Sequence, residues 1–270
     1  MEKRKIPTWN INSVRLRLSS LSRVIKDLSP DVICLQETKV RDELFPSDDI
    51  SKLGYPHQAI SGMKSYNGVA ILSKQPLIKI KKHDWCGKTD CRHISAVIEN
   101  KQFSPIELHN FYFPAGGDIP NPRENTKFAH KLQFLKEVTE WQKERKKKPK
   151  NMVLVGDLNI APLPNDVWSH KQLLRVVSHT PIETEALNQL QLSGRWVDAV
   201  REIIPSQSPL FTWWSYRSKD WTANNRGRRL DHIWVSSALK KKILKAGVYK
   251  ETRSWDKPSD HVPVTITLGQ

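Results

Sequence analysis

The chain has 270 residues, and its 44 lysines and arginines outnumber its 28 aspartates and glutamates, which gives a formal charge of +16. Hydrophobic residues make up 38% of the chain, which is enough for a folded core and excludes extensive disorder. The three cysteines, Cys34, Cys86 and Cys91, are too few and too irregularly spaced for a disulfide framework or a zinc ribbon.

The chain contains no run of 18 apolar residues, and its first residues lack the apolar segment of a signal peptide. We therefore expect a soluble cytoplasmic protein that does not contact membranes. The excess positive charge favours a polyanionic partner, nucleic acid above all, because a positive surface potential concentrates phosphate-bearing ligands.

Apolar runs and helical stripes alternate along the chain. In chain order, the pattern first predicts a helix through Leu16, Ser20, Val24 and Leu28, followed by strands at 31–35, 68–72, 94–98 and 106–111. A helix from Phe128 to Trp141 and a strand at 152–155 come next. A helical segment from Ala186 to Val200, which Gly194 interrupts, precedes strands at 230–235 and 262–266. Strands spread through the whole chain with helices between them predict an α/β sandwich of two sheets with helices outside. We expect a single domain over residues 1–270. The basic run at 143–150 fits either a solvated loop or a contact with a polyanion.

Polar residues follow the apolar runs with unusual regularity. Taken singly, each fits a turn, a cap or a solvated position. Together they place carboxylates, amides and one imidazole at the edges of strands that must share a core. These residues are Asn10, Glu37, Asp157, Asn159, Asp231, Asp260 and His261.

Four carboxylates inside a basic protein need a cation or a proton to offset their repulsion. Oxygen ligands without cysteine favour Mg²⁺, with Mn²⁺ as a possible substitute, over zinc. The adjacent Asp260 and His261 add a group that titrates near neutral pH, and a second aspartate bonded to the imidazole would fix its tautomer. This combination indicates metal-assisted hydrolysis of a phosphoester.

Eight motifs in this order resemble the exonuclease III family of DNA repair nucleases, within the endonuclease/exonuclease/phosphatase superfamily. The resemblance covers residues 6 to 268. It implies a four-layered α-β-β-α sandwich of two mixed β-sheets flanked by helices. The motifs are N-I-N, L-Q-E-T-K, Y-N-G-V-A-I-L-S, N-F-Y-F-P-A-G-G-D, G-D-L-N-I-A-P, F-T-W-W-S-Y-R, N-R-G-R-R-L-D-H-I-W and K-P-S-D-H-V-P-V.

The resemblance implies a role for each matching residue. Glu37 would be the main metal ligand, with Asn10 and Asp260 beside it and with Asp157, Asn159 and His261 as further ligand candidates. Asp157 would orient or deprotonate the attacking water or protonate the leaving group, and Asn159 would hold the scissile phosphate. His261, oriented by Asp231, would donate to a phosphoryl oxygen. Tyr112 would sit by the phosphate as a hydrogen-bond donor or a phenolate.

Aromatic and basic residues crowd the segment from 211 to 229, where the composition fits a hydrophobic loop with a basic edge or a surface that stacks on bases. In the family this region forms the pocket for a flipped-out sugar without a base. The residues expected to contact DNA are Trp213, Trp214, Arg217, Arg226 and Arg228. Arg228 stands where some members carry an apolar residue, and Ala115 where some carry a polar one.

The resemblance implies a Mg²⁺-dependent enzyme that cuts duplex DNA 5′ to abasic sites and removes nucleotides or blocking groups from 3′ ends. We expect it to act as a monomer, with the balance between the two activities open. Two alternatives are a phosphatase or phospholipase of the same superfamily, and a non-catalytic DNA-binding protein. A DNA-binding protein would gain nothing from this set of carboxylates, since they repel phosphate.

Overall fold

The structure, a computed structural model, describes residues 3–99, 104–145, 150–218 and 220–269. The strands in these ranges are β1 (Lys3–Asn10), β2 (Val32–Gln36), β3 (His57–Ser61), β4 (Val69–Ser73), β5 (Leu77–Trp85), β6 (Lys88–Ile98), β7 (Ile106–Tyr112), β8 (Met152–Asp157), β9 (Trp196–Asp198), β10 (Asp231–Ser236), β11 (Ile243–Val248) and β12 (Val264–Gly269). The α-helices are α1 (Leu18–Leu28), α2 (Ser47–Lys52), α3 (Thr126–Glu144), α4 (His170–Leu173), α5 (Pro181–Gly194) and α6 (Trp221–Asn224).

The strands form two six-stranded sheets. The first has the order β11-β12-β1-β2-β4-β3 and the second the order β5-β6-β7-β8-β10-β9. Both sheets are mixed, because β1 and β2 are parallel in the first and β7 and β8 are parallel in the second, while their other pairs are antiparallel. The parallel pair lies near the middle of each sheet, so its carboxyl ends are enclosed by neighbouring strands.

The inner faces of the two sheets pack against each other. One apolar cluster joins Ile6 and Val32 of the first sheet to Leu108 and Ile233 of the second. Helix α1 covers the outer face of the first sheet, and α3 and α5 cover that of the second. The predicted four-layered sandwich is therefore confirmed.

Each strand predicted from the sequence is present, with ends shifted by at most six residues. Five further strands, β1, β3, β5, β9 and β11, were not predicted, because charged or polar residues interrupt their apolar pattern and pairing with neighbouring strands decides their conformation. The third helical segment was predicted too long. Helix α5 ends at Gly194, Arg195 turns into the left-handed region (φ 51°), and Val197 pairs in β9 instead.

All three cysteines are free, and Cys34 is buried in the core. Among the described residues, no helix has the length and apolar character that a membrane crossing requires.

Candidate active site

Three neighbouring strands of the second sheet carry acidic and phenolic side chains in one row. Tyr112 at the end of β7 lies beside Asp157 at the end of β8, and Asp157 faces Asp231 at the start of β10. The row requires Gly156, which has a φ of +141°, because a Cβ at this position would lie 1.9 Å from the carbonyl oxygen of Phe111. Strand pairing thus brings together residues that are far apart in the sequence.

The first sheet contributes Asn10 and Glu37 from the ends of its parallel strands. The Nδ2 group of Asn10 donates to Oε1 of Glu37 (2.8 Å) and to Oδ2 of Asp157 (2.9 Å). Asn10 is fully buried, so these bonds are shielded from water. Its amide therefore ties the carboxylates of the two sheets together at one point.

His261, in the loop before β12, completes the centre. Its Nδ1 donates to Oδ2 of Asp231 (2.8 Å), and its Nε2 lies 3.6 Å from Oδ2 of Asp157. Burial alone would lower the pKa of His261, but the carboxylates of Asp231 and Asp157 outweigh it and raise the pKa. The imidazole is therefore protonated on both ring nitrogens at neutral pH, and His261 lines the cavity.

Burial disfavours the charged form of an acid, so it raises the pKa values of two acidic side chains of the centre. It raises the pKa of Asp157, although the nearby His261 opposes this shift. It also raises the pKa of Tyr112 well above its usual range, and the carboxylate of Glu37 adds to the effect. Tyr112 is therefore a neutral hydrogen-bond donor at neutral pH, and Asp157 has a proton affinity suited to general acid or base work.

Two residues of the site have left-handed backbone conformations. Glu37 has a φ of 51°, which costs about 1–2 kcal/mol, and Asn159 has a φ of 53°, which an asparagine adopts more easily. The backbone N–H of Asn159 donates to Oδ1 of Asp157 (2.9 Å), and its Nδ2 donates to the carbonyl oxygen of Phe113 (2.9 Å). Since an amide nitrogen carries two protons, the second remains for a ligand.

The donor atoms of the centre fit a hard divalent cation, because they are carboxylate and amide oxygens with a single imidazole. Burial alone would raise the pKa of Glu37, but the Lys39 ammonium and the hydrogen bond from Asn10 lower it, so that Glu37 is ionised. Asp157, Asp231 and His261 have ligand-type atoms within 4.8 Å of one another, and His261 could join a cation there only after losing the proton on Nε2. Asp260 accepts bonds from the Trp213 indole (3.0 Å) and the Asn12 amide (3.2 Å), which orient its carboxylate beside the cluster.

A cavity of about 510 Å³ opens onto these residues. Its outer wall includes Val177, Trp213, Arg228, Leu230 and the exposed Arg217. The Arg228 guanidinium lies over the Trp213 ring, 5.2 Å from its centre, and Nη1 donates to the carbonyl oxygen of Val177 (2.9 Å). Arg228 therefore lies against the wall and places a positive charge beside the apolar surface of Trp213 and Leu230.

The structure corrects one member of the predicted DNA-contacting set. Trp214 is only 1% exposed and packs edge-on against Phe211 and Trp221, so it cannot stack on a base and the prediction for it is wrong. Arg226 is exposed and lies over Trp168, outside the cavity lining. Residues 146–149 of the basic run and residue 219 lie outside the described ranges.

Two polar residues of the centre were not predicted as site residues. The Nζ of Lys39 lies 2.8 Å from Oε2 of Glu37 and 2.6 Å from Oδ1 of Asn12, so it neutralises the carboxylate. Thr212 donates from Oγ1 to Oδ2 of Asp231 (2.6 Å) and holds the acid that orients His261. Lys39 belongs to the L-Q-E-T-K motif and could have been included, whereas nothing in the sequence pairs Thr212 with Asp231.

A second group of histidines, His83, His93 and His109, lies on the outer face of the second sheet. The rings of His83 and His93 are stacked 4.1 Å apart with an angle of 15° between them. A metal ion binds in the plane of an imidazole ring, so one ion cannot bind both rings in this arrangement. Nδ1 of His109 bonds to His93 and its Nε2 to Glu107, and we interpret the group as a buried polar network.

Comparisons with known proteins agree with this geometry. The sequence profile of the Endonuclease/Exonuclease/phosphatase family matches residues 8–261. Exodeoxyribonuclease III of Haemophilus influenzae is 34% identical over 268 residues, which cover 96% of this chain and 98% of that protein.

An AP endonuclease from Archaeoglobus fulgidus has a TM-score of 0.90 at 31% identity, over 99% of this chain and 100% of that one. A 3′ phosphatase, NExo from Neisseria, bound to a product DNA hairpin, has a TM-score of 0.89 at 30% identity, over 99% and 100% of the two chains. The chain belongs to the endonuclease/exonuclease/phosphatase family and is an enzyme that hydrolyses phosphodiester bonds.

Proposed function

We propose that this enzyme is a Mg²⁺-dependent DNA repair nuclease. It cuts duplex DNA 5′ to an abasic site, leaving a 3′-hydroxyl, and removes nucleotides or blocking groups from 3′ ends. The observation that carries the proposal is the hydrogen-bonded group of Asn10, Glu37, Asp157 and the Asp231–His261 pair, of which Glu37, Asp157 and His261 line one cavity. The names of the relatives, an exodeoxyribonuclease and an AP endonuclease, support the same activity.

Each residue has a chemical task in this reaction. Glu37, Asn10 and Asp260 would hold Mg²⁺, which when bound offsets the negative charge of the phosphoryl group. Asn159 would hold the scissile phosphate through its second amide N–H. The protonated His261 donates to a phosphoryl oxygen, and the Tyr112 hydroxyl is a second donor. Asp157 exchanges a proton with the attacking water or the leaving group.

The cavity wall supports a preference for a sugar without a base. Trp213 and Leu230 provide apolar surface beside the acidic centre, and we propose that a sugar without a base packs against them. Arg217 is exposed at the rim, where it can contact a phosphate of the duplex. We propose that Arg226, also exposed, contacts the DNA backbone outside the cavity.

The alternatives receive less support. A phospholipase or a phosphatase of small molecules would not need an exposed arginine beside an aromatic wall, and the relatives reported above are named for action on DNA, including the 3′ phosphatase bound to a DNA hairpin. A non-catalytic binding protein would not keep Asp157 and Asp231 buried next to a phosphate site, since both repel the ligand. We propose that the whole chain acts as one catalytic domain, as a monomer, in the cytoplasm.

The experiment is a gel assay on a duplex with one abasic site, labelled at either the 5′ or the 3′ end of the cut strand. With Mg²⁺, the first product carrying the 5′ label should end at the nucleotide before the abasic site, and EDTA should abolish it. A duplex with a recessed 3′ end separates stepwise trimming from internal cutting. Binding of either duplex without any cleavage in Mg²⁺ would contradict the proposal.

A further inference from the structure

A buried ion pair lies behind the wall of the cavity, outside the catalytic centre. Lys131 of α3 and Glu183 of α5 are both 0% exposed, and Nζ of Lys131 lies 2.5 Å from Oε1 of Glu183. Burying two charges costs free energy, and an apolar pair of similar volume is often as stable or more stable. Stability alone therefore does not explain why an ion pair is buried at this position.

The remaining bonds of the pair lead to the loops that line the cavity. Besides Glu183, the Lys131 ammonium donates to the carbonyl oxygens of Asn159 (2.8 Å) and Ala115 (3.2 Å), so all three of its protons are used. Glu183 accepts from the backbone N–H of Ser178 (2.9 and 3.0 Å) and also, as part of the cap of α5, from the N–H (3.2 Å) and hydroxyl (2.6 Å) of Thr180. Ala115, Asn159 and Ser178 all line the cavity and come from three separate loops.

The bond to Asn159 falls on a residue that needs support. Asn159 has a left-handed backbone, and its own N–H is bonded to the carboxylate of Asp157. Asparagine adopts this conformation more readily than other residues with a side chain, but the unfolded loop has others, so the bonds around Asn159 select this one. With the carbonyl oxygen held by Lys131 and the N–H held by Asp157, the peptide groups on both sides of Asn159 are fixed, and so is the direction of its side-chain amide.

Glu183 links the part of the cavity wall that carries Arg228 to the same ion pair. Ser178, whose N–H it accepts, also accepts a bond from Arg228 at Oγ (2.8 Å), and the carbonyl oxygen of Ser178 accepts the N–H of Ala161 (2.7 Å). The wall that carries Arg228 and the loop that carries Asn159 are therefore tied to one buried pair.

We propose that Lys131 and Glu183 are positioning residues for the nuclease reaction, which hold Asn159 and the Ser178–Arg228 wall in the geometry that binds the scissile phosphate. The inference rests on the proposed function, because it takes Asn159 as the phosphate-binding amide. Neither side chain touches the substrate. Their contribution is preorganisation, whose loss lowers the rate of the chemical step more than it weakens DNA binding.

The test uses the double variant Lys131→Met with Glu183→Gln, which removes both charges but keeps an acceptor for Ser178 and Thr180. Lys136→Met, at an exposed position of the same helix, is the control. We expect the double variant to stay folded, with a Tm near that of the wild type. Its single-turnover rate on abasic duplex should fall by about 10- to 100-fold with Kd for DNA changed less than about threefold. Hydrogen exchange should accelerate at 157–161 and 176–180 and stay unchanged in β1.

The inference is overturned if the double variant keeps a cleavage rate within about threefold of the wild type, or if its hydrogen exchange at 157–161 is unchanged. It is also overturned if the variant unfolds, because the pair would then be structural. An inactive wild type would contradict the proposed nuclease function alone. In that case the exchange measurement still decides whether the pair holds the Asn159 loop.

Discussion

The carboxylate of Asp231 accepts a hydrogen bond from Nδ1 of His261 at 2.8 Å, and both side chains are buried. This bond sets the proton on Nδ1 and leaves Nε2 to face Asp157 and the cavity. Because Asp231 also raises the pKa of His261, the imidazole is a cationic donor at neutral pH. The arrangement assigns Asp231 the task of orienting and charging His261.

Replacing Asp231 by Asn tests this relationship. An amide can present an N–H to Nδ1, which favours the other tautomer, and it removes the charge that raises the pKa of His261. We expect turnover to fall by about 10²- to 10⁴-fold. The remaining activity should decline as the pH rises through neutral, because His261 then loses its proton at a lower pH than in the wild type. A pH–rate profile checks this, and an unchanged alkaline limb would contradict the role of Asp231.

Replacing Glu37 by Gln keeps a hydrogen-bond acceptor for Asn10 but removes the negative charge. The half-saturating Mg²⁺ concentration should rise at least about tenfold, and kcat should fall, because a neutral amide binds a divalent cation more weakly than a carboxylate. Glu43→Gln is the matched control, since its side chain is 65% exposed and lies outside the centre. Mg²⁺ titrations of the cleavage rate measure both variants, and equal curves would remove Glu37 from the metal site.

The neighbouring tryptophans should respond differently to truncation. Trp213 lines the cavity, so Trp213→Ala should slow cleavage at an abasic site more than hydrolysis of a small phosphodiester. Trp214 is buried, so Trp214→Ala should destabilise the fold by about 3–5 kcal/mol and affect both substrates alike. Thermal unfolding and rates on the two substrates separate these effects. Equal losses on both substrates for Trp213→Ala would make it a packing residue.

The buried His232 should make stability depend on pH. Burial, followed by the charge of Arg229, lowers its pKa to about 3 from an ordinary value of 6.5. Between about pH 3 and pH 6.5, His232 therefore binds a proton in the unfolded chain but not in the folded chain. This contribution is complete above about pH 6.5 and is lost progressively as the pH falls toward 3.

His232→Gln keeps a donor for the carbonyl oxygen of Ile160 and removes the titration. The free energy of unfolding, measured by denaturant titration from pH 7 to pH 4, should then fall less steeply than in the wild type. Parallel curves for the two proteins would show that His232 is not responsible.

The sequence was sufficient to predict the sandwich and the acidic centre, because carboxylates and amides directly after apolar runs mark strand ends. It could not predict that Asp231 faces Asp157, since strand register is a tertiary property. Adjacent residues in extended backbone point to opposite sides, so Trp213 and Trp214 could not be told apart without the fold.

The buried lysine escaped sequence reasoning for a different reason. Lysines on helices are almost always exposed, and Lys131 lies among several others in and around α3. Its burial follows from the docking of α5, which brings Glu183 against it. Likewise, the left-handed conformation of Glu37 is imposed by the strand end rather than by the preference of glutamate.

The most direct test of the central claim is a parallel measurement of cleavage and binding with Asp157→Asn on a duplex containing one abasic site. The carboxylate of Asp157 accepts hydrogen bonds from Asn10 and Asn159. It also lies 3.6 Å from Nε2 of His261. Our account predicts that in Mg²⁺ the variant binds this duplex with a Kd close to that of the wild type and cleaves it at least about 10³-fold more slowly. Cleavage near the wild-type rate, or a loss of binding that explains the whole loss of rate, would contradict the assignment of this centre as the site of phosphodiester hydrolysis.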